Sequence, residues 1–272
     1  MSGRTSGRLD VELAHRGLAR SRSHARELID TGRVLVNGRS AVRASSPVGD
    51  HDQLELTEND PYVSRAAYKL LGALDDLRLR VPAVVLDAGA STGGFTQVLL
   101  EKGCREVIAI DVGHDQLDPT LRTDPRVTCY EGLNLRDLDR EMIGGRFVDL
   151  VVADVSFISL TLLLGPLTSV ITPDGSLLTM IKPQFEVGRE QLGKGGVVRS
   201  ARLRRQAVRA VVDRAATLGW LPRDAAPSRL PGPAGNVEYF VLFAPADAVP
   251  NPEHGDGPGR GDRIETVIER LF

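Results

Sequence analysis

The sequence predicts an α/β protein, a mostly parallel sheet of seven strands covered by helices and preceded by a small α+β domain. Three observations carry this. From Val84 onward, strand-like and helix-like stretches alternate, and strands such as Val148-Asp-Leu-Val-Val-Ala153 are continuously apolar, as strands buried on both faces are. In the first of these units, Val84-Val85-Leu86-Asp87 runs into Ala88-Gly89-Ala90-Ser91-Thr92-Gly93-Gly94-Phe95, where a strand, an acid and a small-residue turn open a helix. Such a turn brings bare backbone close to a nucleotide-type ligand. The first 50 residues form a separate pattern of two helices and a hairpin, with nine Arg against five acids.

Taken in order, residues 1–8 are Gly, Ser, Arg and Thr with one hydrophobe and are expected to be disordered. A small domain then spans 9–58. Val11, Leu13, Ala14 and Leu18 give its first helical stripe. Ser21 caps a second helix whose Ala25, Leu28 and Ile29 face inward, while Arg22 and Arg26, four apart, share the other face. Gly32 sits where a helix ends, Asn37-Gly38 marks a hairpin turn after Val34-Leu-Val36, and Asp52-Gln-Leu54-Glu-Leu56 alternates like a further strand. Asn59-Asp60-Pro61-Tyr62 punctuates the chain, so 59–63 is the expected linker, 64–246 the larger domain, and 247–272 a mobile segment with a C-terminal helix.

In the larger domain Ser64 precedes a helix with Ala66, Ala67, Leu70, Leu71 and Leu74 inward, which carries Lys69. Strands are expected at 84–87, 106–111, 127–130, 148–154, 175–181, 221–226 and 237–243, and helices near 95–102, 115–122, 135–143, 160–170 and 200–218. Ligands of such sheets gather at the C-terminal strand ends, here Asp87, Asp111, Glu131 to Asn134, Asp154 and Lys182.

Composition narrows the class. The net charge of -2 hides an N-terminal 50 residues at +4 and a remainder at -6, so a basic module for a polyanion sits on an acidic body. No apolar run approaches the roughly 18 residues of a membrane span and no signal-type leader is visible, which predicts a soluble, cytoplasmic protein with no membrane partner. Cys104 and Cys129 form no C-x-x-C pair and read as reduced, buried thiols rather than a metal or redox site. Only four Lys (69, 102, 182, 194) stand among thirty Arg, and lysine gives up its proton where arginine does not, so each kept lysine points to a site.

The glycine turn itself selects among nucleotides. Ser91 occupies the middle glycine position of a dinucleotide fingerprint, Asp87 precedes the turn, and no phosphate loop is present, which suits the cationic, zwitterionic S-adenosylmethionine (SAM) better than a diphosphate. Candidate cofactor contacts are Asp87, Gly89, Ser91, Gly93, Gly94 and Phe95, with Asp111 for ribose hydroxyls, Asn134 for an adenine edge and Asp154 near the cationic centre. Four charged groups, Lys69, Asp154, Lys182 and Glu238, stand out as a catalytic set. Two lysines and two acids in one cleft can pair and leave one amine with a lowered pKa, which is what activation of a ribose 2′-hydroxyl requires. Lys182 is the candidate base, oriented by Asp154, with Lys69 and Glu238 holding the pair. RNA contacts are expected from Arg8, Arg16, Arg20, Arg22 and Arg26, and from Arg189 and Lys194 in the glycine-rich loop after Lys182.

Two resemblances follow. Arg8-Leu-Asp-x-x-Leu13, Arg16-Gly-Leu-Ala-Arg20-Ser-Arg22-Ser-x-Ala25-Arg26-x-Leu28-Ile29 and Gly32-x-Val34-x-Val36-Asn37-Gly38 resemble the S-four-like RNA-binding fold, which implies binding to structured RNA. Ser64-Arg-Ala-Ala-Tyr-Lys69, Asp87 to Phe95, Ala153-Asp-Val-Ser-Phe-Ile-Ser159, Ile181-Lys-Pro-Gln-Phe-Glu186 and Gly235-Asn-Val-Glu-Tyr239 resemble the FtsJ-like ribose methyltransferases with their K-D-K-E tetrad, and the whole chain resembles the TlyA family, which joins the two. The resemblance implies a Rossmann-like class I SAM-dependent methyltransferase acting on cytidine 2′-oxygens of ribosomal RNA in ribosomal subunits, small and in some members large, linked to capreomycin sensitivity. The family's linker often carries Arg-Ala-Trp where this chain has Asp60-Pro61-Tyr62. Two other readings are compatible with the sequence: a membrane-active protein, since family members have been labelled haemolysins, and a binding-only RNA protein that kept the pocket without turnover.

Overall fold

In the computed structural model, residues 7–30, 33–41, 43–57, 61–248 and 260–272 are described, and the chain divides into two units, Met1–Arg65 and Ala66–Phe272. In the first, the short strand β1 (Gly7–Arg8) leads into α1 (Leu9–His15), followed by α2 (Arg22–Asp30), β2 (Val34–Val36), β3 (Arg39–Ser40), β4 (Pro47–Val48) and β5 (Leu54–Leu56). Leu9, Leu13, Ala25, Leu28, Ile29 and Val34 form its core. The Ser21 hydroxyl accepts from the His24 N–H at 3.1 Å and starts α2 as expected. Asn37 and Gly38, at φ +52° and +74°, close the hairpin. Gly7 and Arg8 pair with Val48 and Pro47, so they belong to the domain rather than to a disordered leader. Gly32, most of the expected leader, and Asn59 and Asp60 of the expected linker lie outside the described residues.

The second unit opens with α3 (Ala66–Asp76), then β6 (Val84–Ala88), α4 (Gly94–Glu101), β7 (Glu106–Asp111), α5 (Pro119–Arg122), β8 (Val127–Glu131), β9 (Val148–Ala153), α6 (Leu164–Ser169), β10 (Ile171–Ile181), α7 (Pro183–Glu186), α8 (Ala201–Thr217), β11 (Trp220–Pro227), β12 (Tyr239–Pro245) and α9 (Arg260–Glu269). The seven strands lie in the order β11-β12-β10-β9-β6-β7-β8. Only β12 is reversed, antiparallel to both neighbours. The order changes direction between β6 and β9, and that crevice is where ligands of open α/β sheets bind.

Three helices were expected longer than they are. The stretch 135–143 forms two 3-10 turns, Leu135–Asp137 and Glu141–Ile143, the first capped by Asn134 and the second ended by Gly144 at φ +76°. Helix α5 starts only at Pro119, which Asp118 caps, because Asp115 at φ +54° interrupts any earlier turn. The stretch 160–170 splits into a 3-10 turn, Leu160–Leu162, and α6. Conversely, β10 begins at Ile171, with a register shift before Ser176 that hid its first half from a period-two reading. Glu238 lies one residue before its strand rather than within it. The terminal helix starts at Arg260, inside a stretch expected to be mobile, and its Ile264, Val267 and Ile268 join the main core, while residues 249–259 lie outside the described residues.

Candidate active site

Strand β6 ends at the switch point, and the turn after it needs glycine for stated reasons. Gly89 has φ +86°, and a Cβ there would lie 2.7 Å from the Asp154 carbonyl oxygen. Gly93, at φ +97°, has Leu121 Cδ1 where a Cβ would come to 2.4 Å. Between them Ser91 adopts φ +48°, a conformation that a side chain rarely accepts. It is held there by Asp111, whose Oδ2 accepts from the Ser91 N–H at 2.8 Å while Oδ1 accepts from the Gly113 N–H at 2.7 Å. Thus Asp111 joins the turn to the end of β7.

Other expected cofactor residues stand elsewhere. Asp87 is fully buried behind the turn, accepting from the Thr96 hydroxyl at 2.7 Å, and burial pushes its carboxyl up to about 7. Its Oδ1 has no hydrogen-bond partner. Phe95 packs in the core against Phe240, and Gly94 is the buried first residue of α4. Asn134 uses its Oδ1 to cap the Arg136 N–H. Sequence reasoning missed Val112, an apolar side chain 68% exposed beside Asp111. Nothing in a lone Val after a strand signals exposure.

The four charged residues come to the strand ends as two ion pairs. Lys182 follows β10 and Glu238 precedes β12, and the pairing of Ile181 with Tyr239 makes them neighbours across the ladder. Lys69 Nζ donates to Glu238 Oε2 at 2.6 Å, with both groups buried. Gly232 gives that carboxylate room, since a Cβ there would come 2.5 Å from Oε1. Lys182 Nζ lies 2.5 Å from Asp154 Oδ1, an ionic contact not aligned as a hydrogen bond, and donates to Ser156 Oγ at 2.8 Å.

The loop after β9 supplies what the sequence did not disclose. Ser156 is a partner of Lys182, and Phe157 is 92% exposed at φ +65°, its ring 5.2 Å from that of Phe185. An exposed aromatic in a disfavoured conformation is a surface on which a planar base can stack. Beyond Lys182, Arg189 and Lys194 are exposed on their loop, whose end is tied down by Asn236 to the Gly196 carbonyl and Val198 N–H.

In the N-terminal unit, Arg8, Arg22 and Arg26 converge on the buried Asp10, at 2.9, 3.4 and 3.1 Å. Their guanidiniums, Arg8 foremost, hold its carboxyl well below the usual carboxylate range. About half of each arginine side chain stays exposed. Arg16 is not available in the way expected: it donates to the Asp52 and Gly49 carbonyls and pins the turn before β5. Arg20 is exposed and donates to the Val63 carbonyl. Among the described residues there is no cluster able to hold a metal ion and no helix long and apolar enough to cross a membrane. Cys104 is buried and Cys129 half-buried, both free.

The chain is similar to known proteins over both units. Residues 62–244 match the FtsJ-like methyltransferase model and residues 7–54 that of the S4 domain. The 16S/23S rRNA (cytidine-2'-O)-methyltransferase TlyA of Mycobacterium tuberculosis is 50% identical over 237 residues, 86% of this chain and 88% of that protein. The 23S rRNA (cytidine-2'-O)-methyltransferase TlyA of Campylobacter jejuni is 34% identical over 82% of this chain and 94% of its own length. A solved structure from Streptococcus thermophilus that bears a hemolysin name superposes with a TM-score of 0.73 at 32% identity, covering 98% of this chain and 95% of that one. The hemolysin name therefore travels with the same fold.

Proposed function

Because the chain belongs to the TlyA family of FtsJ-like methyltransferases, we propose that it transfers a methyl group from SAM to the ribose 2′-hydroxyl of a cytidine in ribosomal RNA. The observation that carries this reading is the buried Lys182 Nζ, held between Asp154 and Ser156 at the strand ends beside the glycine turn.

The turn suits the cofactor. Gly89 and Gly93 let the turn pack directly against the Asp154 carbonyl and Leu121, Asp111 offers its carboxylate to ribose hydroxyls, and the exposed Val112 offers an apolar face to a purine. Asp154 gives the pocket the negative character that a cation needs. When bound, SAM supplies an electrophilic methyl group on a sulfonium.

The chain's own residues do the rest. A ribose hydroxyl is a poor nucleophile while protonated, so a group within hydrogen-bond reach must take or polarise its proton. Lys182 does this, its amine aimed by Asp154 and Ser156. The Lys69–Glu238 pair closes the neighbouring wall with no unpaired buried charge. Phe157 stacks the acceptor base, and the Arg8, Arg22 and Arg26 fan grips phosphates of structured RNA. Substrates of this kind reside in ribosomal subunits, small, large or both.

The test is transfer of labelled methyl from SAM to unmodified small and large ribosomal subunits, with the modified nucleotide mapped. The wild type should label a cytidine 2′-oxygen, and Lys182→Ala should lose at least about 100-fold in rate while retaining SAM binding. Full activity in that variant would remove Lys182 from the chemistry.

A further inference from the structure

Glu186 is a half-buried carboxylate with no part in the scheme above. It ends α7, four residues after Lys182, and its two oxygens reach the loop that follows β9. Oε2 accepts from the Ser159 hydroxyl at 2.5 Å and Oε1 from the Leu160 N–H at 2.9 Å. Partial burial pushes this carboxyl above the usual range, and the hydrogen bonds from Ser159 and Leu160 work against that push.

The same loop is stitched to the Lys182 segment at two further points. Asp154 and Ser156 meet Lys182, and Phe157 meets Phe185. The three contacts follow one another in register: 154 and 156 with 182, 157 with 185, 159 and 160 with 186. Glu186 makes the outermost of these and anchors the loop on the far side of Phe157, whose backbone is in the disfavoured φ +65° conformation.

We propose that Glu186 is a positioning residue for methyl transfer: by clasping Ser159 and Leu160 it fixes the 154–159 loop, and with it the Ser156 partner of Lys182 and the Phe157 platform for the acceptor base. This rests on the methyltransferase reading given above. The clasp acts on the acceptor side, so its loss lowers the rate of the bound complex more than it weakens SAM binding.

The hydroxyl geometry supplies a discriminating variant. Ser159 Oγ lies 2.7 Å from Thr161 Oγ1 and accepts from the Thr161 N–H. With a carboxylate at 186, the Ser159 proton points to Glu186. In Glu186→Gln the amide oxygen still accepts from Leu160, the amide N–H donates to Ser159 Oγ, and the Ser159 proton turns to Thr161, so the clasp survives with reversed polarity. In Glu186→Ala the Leu160 N–H loses its acceptor and the Ser159 proton turns to Thr161, so nothing ties the loop to 186.

Two measurements on the full-length protein decide it. In the first, steady-state methyl transfer to ribosomal subunits, Glu186→Ala should lower kcat at least about tenfold with SAM Kd changed less than about threefold, and Glu186→Gln should stay within about threefold of wild type. In the second, hydrogen exchange over residues 154–163, Glu186→Ala should exchange at least about tenfold faster there with other segments unchanged, and Glu186→Gln should match wild type. Ser159→Ala breaks the same clasp from the opposite side and serves if Glu186→Ala does not fold. Unaltered exchange in the loop, or a kcat as high as wild type in both alanine variants, overturns the proposal. So does a loss of SAM binding as large as the loss of rate, which marks a general structural role. If the wild type labels neither subunit, the methyltransferase reading falls, and hydrogen exchange still decides whether Glu186 holds the loop.

Discussion

At the scale of single residues, the most consequential departure from ordinary behaviour is Asp87. Its carboxyl is fully buried, accepts from the Thr96 hydroxyl and is pushed up to about 7, mainly by burial. A carboxyl whose folded pKa is raised binds its proton more tightly in the folded state, so its effect on stability is most favourable below pH about 4 and is lost as pH rises toward 7. The loss is a few kcal/mol at most, since each tenfold change in proton affinity is worth about 1.4 kcal/mol. Asparagine keeps an acceptor for Thr96 and cannot ionise. Urea unfolding of wild type and Asp87→Asn between pH 4.5 and 7.5 should therefore show the variant gaining relative stability as pH rises. A difference constant with pH would show that Asp87 is already ionised in the folded protein throughout that range.

Individual residues were legible where their type was scarce or their position conspicuous. Lys69 and Lys182 stood out among thirty arginines, and Asp154 and Glu238 lay beside apolar strands. Val112, Phe157 and Glu186 did not stand out, because a lone Val, Phe or Glu carries no sequence mark of exposure or burial. Phe95, expected at the cofactor for its place directly after the glycine turn, is buried with its ring against Phe240.

At the scale of elements, the sheet was read well because strands buried on both faces are continuous apolar runs, while short helices were overestimated because one-turn caps satisfy the same local signals. The reversed strand β12 matters most for the site, since it brings Glu238 to the end where Lys182 emerges and opposite the Lys69 face of α3. The members of that cross-element pair were expected only as two of four converging charges. Their separate pairing and burial lead to a stability prediction. Lys69→Ala leaves a buried carboxylate without its partner and should destabilise the protein by about 3–5 kcal/mol. Lys69→Met combined with Glu238→Leu removes both charges and should recover most of that loss. Thermal unfolding of the three proteins checks this, and a Lys69→Ala variant as stable as wild type would mean that the pair is not buried in solution.

At the scale of the whole molecule, charge asymmetry assigned the basic N-terminal unit to a polyanion, and the structure adds what charge counting cannot: Asp10, an acid, organises the basic surface. Arg8, Arg22 and Arg26 come from two elements and gather on one buried carboxylate, so their exposed ends are held in a fixed pattern. Phosphate contacts give a salt-dependent affinity, each contributing about 0.7–0.9 to the slope of log K against log salt. Arg22→Ala with Arg26→Ala should therefore reduce that slope for ribosomal RNA binding by up to about 2. Asp10→Asn separates pattern from charge, because it raises the net positive charge of the unit by one while removing the anchor. If only charge counts, the variant binds RNA more tightly at low salt. If the fan is read as a pattern, it binds more weakly despite the added charge, and we expect the weaker binding, measured by filter retention across 50–300 mM salt (about a tenfold loss at the low end, where steering by net charge is strongest).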